Sequence, residues 1–369
     1  MKIGFDAKRL YNNFTGLGNH SRTTIDILAR YCPENTFVLY TPKIKHTVVT
    51  TLYTEKSHCR TCLPGGLLKG SLWRTFGIAG DVRRDGVEIF HGLSNELPVG
   101  LHVPSVVTIH DVAFKTFPDM YHWQDRQIYD LKWRYALRHA DRIVAISEAT
   151  KKEILTYYDV DESKIDVVYQ PVASRYYEPA PHRPVSYPFD SPYMLYVGSI
   201  NSRKNLLGIV KAIELLPSDL RMPLVVVGNG GAYRQEGEAY IVSHNMQDDV
   251  IFVGQKIDPD ELQQLYLHAE VFVYPSFCEG FGLPVAEALL SRCPVVTSNV
   301  SSLPEAGGEM SMQADPNDVA DISKKIEKVL SDSELRAKMK DAGYEYAMKK
   351  FHPKESALQL MKIYQSIVK

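Results

Sequence analysis

The sequence predicts an α/β protein of two doubly wound domains, each a parallel sheet covered by helices on both faces. Three observations lead there. Short apolar runs rich in Val, Ile and Tyr alternate with amphipathic stretches of helical period, and the alternation occurs twice along the chain. A segment crowded with prolines separates the two series. The length of 369 residues exceeds what one ordinary core accommodates and suits two.

In chain order, KIGFD, TFVLY, EIFHG, PSVVTIHD, RIVAIS and IDVVY read as strands. NHSRTTIDILARY, QDRQIYDLKWRYALRHA and EATKKEILTYY read as helices between some of them. Over residues 170–193, Pro171, Pro179, Pro181, Pro184, Pro188 and Pro192 argue against regular structure. The second series of strands is YMLYVGS, PLVVVG, VIFVGQ, VFVYPS and PVVTS, followed by helical stretches at 317–330, 332–349 and 353–368. In the last of these, Leu358, Leu360, Met361, Ile363, Tyr364 and Ile367 recur at near-helical spacing and need a partner surface. The expected organisation is a domain over 1–172, a linker over 173–192, a domain over 193–350 and a terminal helix over 351–369.

Composition excludes more than it selects. Apolar residues at 44% and charged residues at 23% are those of a globular protein, and a net charge of -2 argues against a nucleic-acid partner. The opening MKIGFDAKRL lacks the apolar core of a signal peptide, and no stretch approaches the ~18 apolar residues of a membrane span. A cytoplasmic protein is expected, and five cysteines suit a reducing compartment. His58, Cys59 and Cys62 have a metal-like spacing, but no second pair follows to complete a zinc site, so packing is the expected role.

Ligands of doubly wound sheets sit at the carboxyl ends of strands, and the chemistry-bearing residues cluster there. After the first strand, Gly16 and Gly18 permit close backbone approach and positive φ ahead of a helix N-terminus. Ser21 stands where a third glycine would complete a dinucleotide fingerprint, so phosphate contact and a plain tight turn stay open. His110 and Asp111 end another strand and are expected to face the ligand. In the second series Gly198 turns the chain, and Arg203 and Lys204 stand where a helix dipole disfavours cations unless an anion binds. Most telling is SFCEGFGLPVAEALL, with Glu279 and Glu287 separated by seven residues. Gly280 and Gly282 bare the backbone, Pro284 starts a helix, and the helix amides suit a diphosphate. Two carboxylates flanking an anion site describe a ligand with hydroxyls on both sides of a diphosphate, which is a nucleotide sugar.

EGFGLPVAE resembles the glutamate-seven-residue-glutamate signature of the retaining glycosyltransferases of the family-four type. TIHD, DRIVAISEATKKEI, VGSINSRKN and PVVTSNVSSLPEAGG extend the resemblance over nearly the whole chain. It implies a GT-B fold, two Rossmann-like domains facing across a deep cleft, with the terminal helix packed back on the first domain. By resemblance Glu279 contacts the donor sugar and Glu287 the nucleotide ribose. The backbone of Gly280, Phe281, Gly282 and Leu283 and the side chain of Lys204 hold the diphosphate, with His110 beside the sugar. One departure is Ser199, where many members carry an arginine for the diphosphate; Arg203 is the candidate replacement.

The resemblance implies retention of anomeric configuration, a nucleotide-sugar substrate in place of any cofactor, and no metal. Bacterial mannosyltransferases of surface polysaccharide carry similar VGSINSRKN and TIHD segments, which makes GDP-mannose the first expected donor. The acceptor is a saccharide or a lipid-linked one, with Asp111 as a candidate contact. The pairs Asp159/Asp161 and Asp258/Asp260 read as structural, Asp258 as a helix cap. A nucleotide-sugar 2-epimerase of the same fold, a two-domain nicotinamide or flavin oxidoreductase and a non-catalytic sugar-binding protein are the rival readings. Over 60–85 a basic stretch carries Arg60, Lys69, Arg74, Arg83 and Arg84 among Leu67, Leu68, Leu72, Trp73 and Phe76. Either it lies peripherally on the inner face of an anionic membrane, or Trp73 and Phe76 pack in the core.

Overall fold

The computed structural model describes residues 1–178, 191–253 and 257–368. They form two compact units, one of Met1–Pro171 with the segment from Pro353 on, the other of Val172–His352. Residues 179–190 of the expected proline-rich linker lie outside the described residues, as do the last residues of VIFVGQ. Just before them Ser174–Tyr177 forms a 3-10 turn that buries Tyr176. The linker expectation over 173–192 therefore gives way to regular structure at its start, because the Tyr176 ring finds a core.

In the first unit the strands are β1 Lys2–Asp6, β2 Thr36–Tyr40, β3 Cys59–Cys62, β4 Ile89–Gly92, β5 Ser105–Ile109, β6 Arg142–Ala145 and β7 Ile165–Val167. All pair in parallel, in the order β3-β2-β1-β4-β5-β6-β7. Helices cover both faces, which is why β5 is buried along its whole length. Cys59 and Cys62 lie on the edge strand β3 as free thiols, and burial pushes both up to about 11. The helix Pro353–Ile367 belongs to this unit, with Leu360, Ile363 and Tyr364 in one core with Ile25 and Leu28 of the helix Gly16–Tyr31.

The basic stretch folds as Gly70–Leu72, a π-helical turn Trp73–Gly77 and Ile78–Arg84. Arg74 is not on its surface. It is buried, its guanidinium 2.6 Å from Asp6 at the end of β1 and 2.6 Å from Glu96, to which Lys132 adds at 3.0 Å. The planar fork satisfies two carboxylates that burial would otherwise leave unpaired. Trp73 is buried too, its indole donating to Asp81 at 2.8 Å, whereas Phe76 is 57% exposed. Arg60 and Arg84 pair with Asp85 and Asp81.

In the second unit β8 Met194–Val197, β9 Leu224–Val227, β10 Val250–Val253, β11 Val271–Tyr274, β12 Val295–Ser298 and β13 Met312–Ala314 pair in parallel, in the order β10-β9-β8-β11-β12-β13. Asp258 caps the helix Pro259–His268 in a reciprocal box with Glu261, and Asp161 caps the turn Glu162–Lys164. No helix among the described residues is long and apolar enough to cross a membrane.

Candidate active site

The second sheet reverses its winding between β8 and β11, so the segments leaving these neighbours diverge there and open a ligand site at their carboxyl ends. After β8 the chain makes the 3-10 turn Ser202–Lys204, capped by Asn201, and Asn205 follows with φ 58°. The Asn205 amide donates to Pro275 O at 3.2 Å and Pro316 O at 2.9 Å, tying this turn to the loop after β11. Arg203 and Lys204 thus precede the helix Leu206–Glu214 rather than opening it.

The loop after β11 carries Glu279, which is buried and central. Its Oε1 accepts from the Lys204 ammonium, from Tyr274 OH at 3.0 Å and from Ser276 Oγ at 2.8 Å. Arg203 Nη1 lies 3.7 Å from Oε2 and donates to Cys278 O at 2.6 Å. Ser302 Oγ donates to Glu279 O at 2.8 Å, and Glu279 N donates to Ser301 Oγ at 2.9 Å. Burial alone would push the carboxyl up, but Lys204 and Arg203 outweigh it and hold Glu279 below the usual carboxylate range. Two cations therefore converge on Glu279, Lys204 buried and Arg203 half-buried. Chemically, such a pair of cations suits a phosphate.

Gly282 starts the helix Leu283–Leu290 with φ 103° and no side-chain cap. A Cβ there would also meet Leu303 at 2.8 Å, so glycine is required twice over. Gly280 and Phe281 complete the turn, and Phe281 is buried against Phe351 with centroids 5.1 Å apart. Glu287 stands apart from the Glu279 cluster. Half-buried, it accepts from Tyr266 OH at 3.2 Å near Tyr176, and burial pushes its carboxyl up to about 7 against the pull of that hydrogen bond and Arg175.

In the first unit His110 follows β5 and is buried, its Nε2 2.9 Å from Leu93 O and its backbone N–H donating to Asn95 Oδ1 at 2.7 Å. Its ring meets His20 edge-on at 4.5 Å. Burial lowers His20, His91 and His110 alike, His91 to about 3, so these imidazoles are neutral. Asp111 Oδ1 accepts from Ala113 N at 3.1 Å as a local cap. Gly16 and Gly18 lie inside the first turn of the helix Gly16–Tyr31, not in a loop before it, and neither has positive φ. Gly18 is needed because a Cβ would fall 1.8 Å from Asn13 O, while Gly16 has open space. The Gly18 amide, for which phosphate contact and a plain tight turn were both open, donates to Asn13 Oδ1 at 3.1 Å.

Sequence reasoning missed the partners: Tyr274, Ser276, Ser301 and Ser302 around Glu279, Tyr176 and Tyr266 around Glu287, and His20 and His91 near His110. The serine at a strand's carboxyl end was the one available signal, and it did not stand out in a chain with many.

Two parallel Rossmann-like sheets, the second with two cations beside its winding reversal, define a doubly wound α/β protein. Residues 182–346 match the model for glycosyl transferases group 1, and residues 22–175 that for glycosyltransferase family 4. The chain belongs to this glycosyltransferase family. It is 36% identical over 256 residues to O-antigen chain mannosyltransferase B of Escherichia coli, covering 67% of this chain and 66% of that one. With O-antigen chain mannosyltransferase RfbU of Salmonella typhimurium the identity is 25%, covering 58% and 57%. The matches thus span just under two thirds of these relatives' length, or less. Among solved structures, a glycosyltransferase from Rickettsia africae superposes with a TM-score of 0.76 at 17% identity, covering 100% of this chain and 98% of that one. WaaG, a glycosyltransferase involved in lipopolysaccharide biosynthesis, superposes at 0.72 and 16%, covering 97% and 98%. The fold is GT-B.

Proposed function

We propose that this chain is a retaining, metal-independent hexosyltransferase that moves a sugar, mannose from GDP-mannose first, to a saccharide or lipid-linked acceptor in cell-surface polysaccharide synthesis. The observation that carries the reading is the cluster in which Lys204 and Arg203 converge on Glu279. A donor diphosphate offers both cations a negative partner. As the bond from the anomeric carbon to the phosphate oxygen breaks, charge gathers on that oxygen, and Lys204, Arg203 and the backbone at Gly280–Leu283 stabilise it electrostatically. The acceptor oxygen forms its bond to the anomeric carbon on the same face, and its proton passes to the departing phosphate.

Glu279 orients Lys204 and, in this reading, contacts the sugar; neutral His110 gives the sugar a hydrogen bond rather than a charge. Glu287 takes the ribose. Metal independence is supported by the local use of the acidic pairs, since Asp258 and Asp161 are spent as caps. The names of the mannosyltransferase relatives support the choice of sugar and pathway.

Calorimetry with GDP-mannose, UDP-glucose and ADP-glucose in the presence of EDTA tests the donor. GDP-mannose should bind best, and Glu287→Gln should weaken it by about 1 to 3 kcal/mol as a hydrogen bond to a charged acceptor is lost. Binding of none of the three, or binding that demands a divalent ion, overturns the reading. The anomeric proton of the product on mannoside acceptors then reports retention or inversion.

A further inference from the structure

β2 and β3 leave the first sheet side by side, Tyr40 opposite Cys62, and each reaches a proline two residues on, Pro42 and Pro64. Between these exits lies a cavity of about 380 Å³. Lys43, Lys69 and His46 give it a cationic, hydrogen-bonding side; Ile44, Leu63 and the two prolines give it an apolar one, and no acidic residue lines it. It stands at the carboxyl edge of β2 and β3, outside the neighbours β1 and β4 between which this sheet's winding reverses.

The loop that displays the cations is held from behind. Lys43 O accepts from Asn12 Nδ2 at 2.9 Å and Thr41 Oγ1 at 2.7 Å, and Lys45 O accepts from Thr50 Oγ1 at 2.8 Å. Thr47 and Thr50 cap the next helix, Val48–Glu55, reciprocally. Neither Lys43 nor Lys69 has a carboxylate within ion-pair distance among the described residues, whereas Arg60, Arg74 and Arg84 of the neighbouring stretch all do. Beside the cavity Leu63, Leu67, Leu68 and Leu72 are exposed, Leu67 completely. Uncompensated cations next to an unpartnered aliphatic surface complement an amphiphile with an anionic head.

We propose that this cavity binds the phosphate or diphosphate of an aliphatic ester, with Lys43, Lys69 and His46 on the head and Leu63, Leu67 and Leu68 along the chain. Calling that ester the anchor of a lipid-linked acceptor rests on the transferase reading above; the site itself does not.

The test is calorimetry with monomeric farnesyl diphosphate on the full chain, at saturating GDP so that the second unit's anion site is occupied. Farnesyl diphosphate should still bind, and Lys43→Glu with Lys69→Glu should weaken it by about ten-fold or more, with the melting temperature and GDP affinity unchanged. Inorganic diphosphate and farnesol should each bind more weakly than the ester. The proposal is overturned if the double variant binds as well as the wild type, or if inorganic diphosphate binds as tightly as the ester. It is equally overturned if only anionic vesicles are bound and the monomeric ester is not, which would mark a general membrane contact. Failure of GDP to bind would instead count against the donor reading, and farnesyl diphosphate titrated alone would then decide this site.

Discussion

In the first unit Arg74 meets Asp6 and Glu96, and Lys132 joins Glu96; in the second, Lys204 and Arg203 both meet Glu279. The first cluster joins two cations to two carboxylates, while in the second two cations converge on Glu279. A balanced buried cluster has nothing left to offer a ligand and acts as a structural tie. Another cation is unwelcome there: Lys8 alongside is lowered by burial first, then by Arg74 and Arg9. In the second cluster burial, with Arg203 adding to it, lowers Lys204 despite Glu279.

Breaking each cluster should give the largest effects. Arg74→Met leaves two buried carboxylates without their shared cation and should cost about 3 to 5 kcal/mol. All three tryptophans, Trp73, Trp123 and Trp133, lie in the first unit, so urea unfolding followed by their fluorescence reads this unit alone. Lys204→Met should destabilise the second unit comparably and abolish GDP binding, because Glu279 keeps only Arg203 at 3.7 Å. Glu279→Gln, by contrast, removes the carboxylate that both cations meet. It should leave GDP binding intact or tighter while transfer is lost. Should it weaken GDP as much as Lys204→Met does, the assignment of these cations to the diphosphate is wrong.

Glu287 sharpens the comparison within the second unit, since its carboxyl has no ion pair among the described residues and feels only the weaker pull of Arg175. Its pKa of about 7 lies above its ordinary value of 4.5, so the stability tied to its protonated form is complete below about 4.5 and is lost as pH rises through 7. Glu287→Gln, neutral at every pH, should stabilise the second unit by about 1 to 2 kcal/mol at pH 8 and by almost nothing at pH 4. Thermal melts of both proteins at the two pH values measure it; equal gains at both would assign the effect to packing.

What the sequence disclosed follows from range. β8, β9 and β11 are apolar throughout, and β1, β2, β5 and β12 are largely so, because helices bury both faces of the sheets, and such runs are legible locally. The edge strands β3 and β13 are short and partly polar, CRTC and MQA, and their pairing comes only from the neighbour they join. Glu279, Lys204 and Arg203 could be singled out because each follows a strand. That they touch could not, for Lys204 and Glu279 are 75 positions apart and meet only through the order of β8 and β11. Arg74 was misplaced for the same reason, its carboxylates lying 68 and 22 positions away. At Gly18 the partner is closer to hand: Asn13, five residues upstream, takes the amide.

An effect of similar size concerns a neutral buried pair in the first unit. His91 on β4 has no exposure, and its Nδ1 lies 2.7 Å from Tyr364 OH on the terminal helix while Nε2 lies 2.8 Å from Thr108 Oγ1. Tyr364→Phe keeps the ring packing and removes only the hydroxyl, leaving a buried ring nitrogen without its partner at a cost of about 1 to 3 kcal/mol. Tryptophan-detected unfolding should register that loss in the first unit, with GDP binding by the second unchanged. A pH series adds a check with a definite sign. The His91 pKa falls from 6.5 to about 3 through burial, so below pH 6.5 the unfolded imidazole takes a proton that the folded one refuses, and the unit weakens as pH falls toward 3. Both proteins should show this decline, offset by the missing hydrogen bond; curves that coincide across the range would mean the hydroxyl contributes nothing and that apolar packing alone holds the helix to the sheet.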